Sequence, residues 1–107
     1  MRYLMTTKAT DTAPDETLFI EMGKFIEELS AAGVLLATGG LEPGGILVTS
    51  SGDEITVTDG PFAEAKEAVA GFALIEVRSK EEAIELARRF RRIVGDGESV
   101  VQQVFGP

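Results

Sequence analysis

The amino-acid sequence predicts a small α+β domain whose elements run β-α-β-β-α-β, with an extra β-hairpin after the second strand. Three observations carry this. Two segments repeat apolar residues at spacings of three and four and are flanked by helix start and stop residues. Around them lie short runs of aliphatic, β-branched and aromatic residues, separated by Gly, Pro, Asp and Ser. The chain has 107 residues, the size of one domain, and no repeat or linker divides it.

Residues 2–8 alternate loosely and contain aromatic and β-branched types, which suits a first strand. Thr12-Ala13-Pro14-Asp15-Glu16 is a helix start: a capping candidate, a Pro for the first turn, then acids at the positive end of the helix dipole. Leu18, Met22, Phe25, Ile26 and Leu29 share one face, while Glu21, Lys24, Glu27 and Glu28 fall largely on the other. Gly33 suits the left-handed position that closes a helix, so the first helix is predicted over about 14–32. Val34 to Ala37 opens a second strand running toward Leu41, and Pro43-Gly44 turns the chain. Residues 46–49 and 55–58, joined by Ser51-Gly52-Asp53, read as a hairpin with the character of an exposed arm.

Ala63 to Ala68 are good helix formers, enough for a turn or two. Gly71 to Val77 is the strongest strand signal in the chain. Ser79-Lys80-Glu81-Glu82 is a capping box, in which Ser79 and Glu82 each accept from the other's backbone N–H. The second helix carries Ala83, Leu86, Ala87 and Phe90 on one face and ends near Gly95, and residues 99–105 form the last strand.

Composition narrows the function classes. The chain has no Cys, His or Trp, which excludes a disulfide framework, a thiolate nucleophile and any His-based triad. The common zinc sites need His or Cys, so no metal or other cofactor is expected. A net charge of −8 opposes binding to nucleic acid phosphates. The one basic cluster, Arg88-Arg89-Phe90-Arg91-Arg92, reads as a solvated helix end, where cations meet the negative end of the dipole. No apolar run approaches the roughly 20 residues of a membrane span. The first residues lack the pattern of a signal peptide, so the expected location is cytoplasmic.

Two helices cover only one face of a four-stranded sheet. Because Val34 to Ala37 and Phe72 to Ile75 are continuous apolar runs, the other face is expected to be covered. The cover is either a second copy, giving a homodimer, or the 46–58 hairpin folded back. Asp59-Gly60-Pro61-Phe62 packs special residues into one loop. It reads either as an Asp-capped helical turn anchored by Phe62, or as a site in which Asp59 is a general base and Lys66 holds an anion, with Glu64 and Glu67 nearby.

The stretch from Val57 to Glu67, followed by Gly71 to Val77, resembles the signature of the DGPF branch of the YCII-related proteins. Met1 to Met5 and Gly33 to Leu41 are similar as well, so the resemblance covers essentially the whole chain. It implies a ferredoxin-like fold that pairs into a dimeric α+β barrel. Many proteins of this branch are encoded beside extracytoplasmic-function sigma factors, which implies a transcription-regulatory protein as candidate partner. Members of the YCII branch proper carry a His–Asp pair proposed as catalytic. Asp59 matches the Asp, but this chain has no His, so Lys66, Tyr3 or a second carboxylate would have to replace the imidazole. The candidate ligand-binding positions are Tyr3, Gly39, Gly60, Pro61 and Phe62, with Leu36 and Phe72 as apolar walls. Two functions follow: a small-molecule binding module linked to regulation, or a lyase or isomerase acting on a small molecule.

Overall fold

The computed structural model describes residues 1–8, 15–60 and 68–106. Its elements are β1 (Arg2–Lys8), α1 (Glu16–Ala31), β2 (Leu35–Gly40), β3 (Ile46–Ser51), β4 (Glu54–Asp59), β5 (Val69–Glu76), α2 (Lys80–Val94) and β6 (Ser99–Val104). Four strands form an antiparallel sheet in the order β2-β5-β1-β6, and β3 and β4 form a separate two-stranded sheet. With the hairpin set aside, this is the ferredoxin-like β-α-β-β-α-β arrangement, so the expected fold class is the observed one. The short helix expected over 63–68 falls almost wholly outside the described residues.

Local chemistry fixes both helices. The Asp15 carboxylate accepts from the Leu18 N–H at 2.8 Å, so Asp15 is the N-cap, one residue beyond the expected start at Pro14. At the other end the Gly33 N–H donates to Ser30 O, the Val34 N–H donates to Leu29 O, and Gly33 has φ of 73°. This pair of bonds is a Schellman closure, which needs the left-handed residue the sequence supplies. In α2, Ser79 Oγ accepts from the Glu82 N–H as expected. The return bond differs: Glu82 accepts from the Arg78 N–H at 3.2 Å, one residue before the cap. Gly95, with φ of 87°, ends α2.

Both helices pack on one face of the sheet. Tyr3 and Ile75 are cross-strand partners, and they join Val77, Phe25, Leu29, Ala83 and Leu86 in one core. Ile75 is fully buried, and burial of such a side chain stabilises by about 1.5–3 kcal/mol. Side chains alternate across a strand, so Leu4, Thr6 and Leu74 point to the opposite face, where they are only half-buried. A bulge leaves Leu36 without a partner between Leu35↔Ile75 and Ala37↔Leu74. Leu36 is exposed on the single chain.

The β3–β4 hairpin does not fold back over the open face. Every residue of both strands is exposed, and the hairpin makes no substantial contact with the helices or the larger sheet. The molecule measures 47 × 37 × 19 Å, with a radius of gyration of 16.0 Å. A compact chain of this length would have about 13 Å. The hairpin is an arm.

Candidate functional site

A cleft of about 240 Å³ lies between α1 and the β2–β5 side of the sheet. It exists because large residues on the helix face small ones on the strands. Met22, Phe25 and Ile26 come from α1, whereas Gly71 and Ala73 stand opposite and leave the space between them unfilled. Gly39 and Gly71 also bring the strands close. A Cβ on Gly39 would sit 3.2 Å from the Phe72 ring, and one on Gly71 would sit 3.3 Å from Gly39 O.

The lining is almost wholly apolar, and no described lining residue is charged. Its two hydroxyl side chains already have partners. The Thr38 hydroxyl donates to Phe72 O at 2.8 Å, and Thr7 Oγ1 lies 3.1 Å from Ser99 Oγ. A guest would therefore be held by shape and apolar contact, with few new side-chain hydrogen bonds. The wall formed by Phe25 is braced from outside. Arg89 stacks over the Phe25 ring at 4.8 Å and forms a bidentate pair with Glu28 at 2.7 and 2.8 Å. The hydrogen bonds from Arg89 hold the Glu28 carboxyl below the usual carboxylate range, and the same contact raises Arg89. No group of three or more potential metal ligands occurs among the described residues.

The expected site residues distribute unevenly around this cleft. Gly39 is on its wall. Tyr3 is 5% exposed and belongs to the core cluster; it is absent from the described lining. Leu36 is also absent from that lining, and its neighbour Leu35 is present together with Phe72. Asp59 sits at the base of the arm, paired across it with Ile46 and exposed, its carboxylate making no hydrogen bond to a described residue. Gly60 has φ of 138°, and its N–H donates to Gly45 O at 3.3 Å. Pro61, Phe62, Glu64, Lys66 and Glu67 lie outside the described residues. In the chain that segment ends just before β5, whose Ala70 and Gly71 line the cleft.

The sequence reasoning did not pick out Met22, Phe25 and Ile26 as site residues. Their helical spacing marks them as inward-facing and says nothing about what they face. The signal available was the small residues Gly71 and Ala73 on the helix-facing side of a strand, too small to fill the space beneath such a helix.

The arginine cluster is largely consumed by structure. Arg89 joins α2 to α1 through Glu28, and Arg88 and Arg92 both approach Glu85. Arg91 donates to Gly95 O and Ser99 Oγ, tying the end of α2 to β6.

Comparison with known proteins gives a consistent result. Residues 1–103 match the family described as YCII-related domain. An uncharacterised protein of Rhizobium meliloti, R00369, is 36% identical over 84 residues, which is 77% of this chain and 68% of that one. Among solved structures, the fold matches 5-chloro-2-hydroxyhydroquinone dehydrochlorinase from Burkholderia phenoliruptrix, in complex with 2,5-dihydroxybenzoquinone. The TM-score is 0.54 at 14% identity, covering 100% of this chain and 96% of that one.

Proposed function

This chain belongs to the YCII-related family, and on that premise we propose that it binds a small one-ring molecule in the cleft under α1. The observation that carries the reading is the closed polar inventory of the lining: an apolar space whose hydroxyl side chains are already satisfied. A cavity of about 150 Å³ accommodates benzene, so about 240 Å³ suits one ring with a few substituents. The six-membered ring bound by the structural neighbour supports the same class of guest. A ligand of about ten heavy atoms held mainly by apolar contact binds in the millimolar-to-micromolar range. The role is that of a binding module, a ligand sensor, with a transcription-regulatory protein as its candidate partner.

The open sheet face supports a homodimer. Leu4 and Leu74 are half-buried there, Leu36, Val100 and Val104 are 41–45% exposed, and no described element of the same chain covers them. A second sheet packed on this one would remove that surface from water.

The test is ligand-induced thermal stabilisation across a panel of monocyclic aromatics and quinones, repeated with Met22→Trp, which fills the cleft from the helix side. The wild-type chain is expected to be stabilised by at least one ring compound, and the variant to lose that response while keeping its unliganded melting temperature. Stabilisation that survives Met22→Trp unchanged would place binding elsewhere.

A second reading is a lyase or isomerase in which Asp59 removes a proton and Lys66 steadies the resulting anion. The dehydrochlorinase activity named for the structural neighbour favours it. It requires Asp59→Asn to abolish turnover of a ligand found in that panel. Turnover that persists in the variant rules Asp59 out as the base.

A further inference from the structure

The hairpin arm and the groove between α2 and β6 are complementary in charge, and they lie toward opposite edges of the sheet. In the register of β3 and β4, Val48 stands opposite Val57, and Ile46 and Ile55 fall on the same face as this pair. These four side chains are 61–68% exposed and form a continuous apolar stripe. From 41 to 60 the chain carries Glu42, Asp53, Glu54 and Asp59 and no Lys or Arg.

The complementary surface is a groove of about 600 Å³ whose floor includes Ile84, Ala87 and Val101. Arg88, Arg91 and Arg92 line its rim, against Glu98 alone among the described lining residues. Arg91 bonds to a hydroxyl and a carbonyl and has no carboxylate partner among the described residues. β6 is an edge strand, with β1 as its one neighbour in the sheet, so its outer side offers unpaired backbone groups to a further strand. β3, β4 and β6 are each six residues long.

The arm leaves from β2, at the opposite edge of the sheet from β6, about 14 Å away across three strand spacings. We infer that the β3–β4 arm docks in the α2–β6 groove of a second copy of this chain, apolar stripe to apolar floor and acidic arm to arginine rim. Reciprocal exchange about a two-fold axis satisfies both arms and both grooves at once. The inference rests on the homodimer proposed above and adds what joins its edges.

The absence of native cysteine makes the test clean. Val57→Cys is placed in one chain, and Ala87→Cys or Ile84→Cys in another. The chains are mixed under subunit exchange and oxidised mildly, with Glu27→Cys on the exposed side of α1 as the control partner. Linking of Val57→Cys to at least one groove position is expected to be about tenfold or more faster than to the control, because docking raises the effective concentration. Arg88→Glu with Arg92→Glu is expected to slow it severalfold. Linking no faster than the control, in a chain that light scattering finds dimeric, overturns arm docking and leaves the dimer standing. A monomeric mass at micromolar concentration overturns both. Linking that ignores the arginine reversal overturns the groove as the docking site.

Discussion

At the scale of single residues, the cleft depends on side chains that hold others in place. Phe25 forms a wall, Arg89 lies over its ring, and Glu28 grips Arg89 in a bidentate pair. The pair is exposed, so its contribution to stability is small and screened by salt. Its pH dependence has a defined sign. The Glu28 carboxyl is held below its ordinary range by the Arg89 hydrogen bonds, so the stabilisation is present above the unfolded carboxylate pKa. It is lost as pH falls through the lower folded value. Glu28→Gln is therefore expected to lower the urea midpoint at neutral pH and to match the wild-type chain only once pH has fallen below the lowered Glu28 value. A difference that persists in acid would show that the side chain acts by packing. Asp59 illustrates the other side of the residue scale. Its type, and the Gly-Pro that follows it, marked it as special. The structure places it exposed on an arm, and no property of the residue itself could have indicated that.

At the scale of elements, the sequence was most legible where a local rule has a local cause. Ser79 caps α2 and Gly33 closes α1 in a left-handed conformation as the sequence indicates, while α1 is capped by Asp15, which the sequence offered as a first-turn acid. All of these lie within a few residues of the groups they satisfy. Asp15→Ala is expected to destabilise the domain by about 1 kcal/mol in denaturant titration. A neutral substitution would mean that α1 is held by packing alone. Legibility failed where the cause was distant. The apolar run in β2 gave no sign of the bulge at Leu36, which is set by registry with β5. Likewise the hairpin could be read from its turn and β-branched residues, but its projection away from the body is a tertiary outcome. The cleft was the least legible feature. It arises from the difference in size between residues on α1 and residues on β2 and β5, elements paired only by the fold.

At the scale of the whole molecule, the ferredoxin-like layer leaves three unequal surfaces. One sheet face is covered by helices and contains the cleft, the other is open and partly apolar, and an acidic arm extends from one edge. The charge of −8 is distributed to match. Four of the ten basic residues lie within 88–92, and none falls between Lys24 and Lys66. The account stands or falls on the cleft, and the chain contains its own reporters. It has three methionines, of which Met5 and Met22 line the cleft, while Met1 does not and is exposed. The most direct measurement is a titration of methyl-labelled protein with one-ring aromatics and quinones, followed by NMR of the methionine methyl groups. The expected result is a saturable shift of Met5 and Met22, with Met1 unmoved. Shifts confined to Met1, equal shifts at all three, or none with any compound at millimolar concentration would contradict the assignment of the cleft as the binding site.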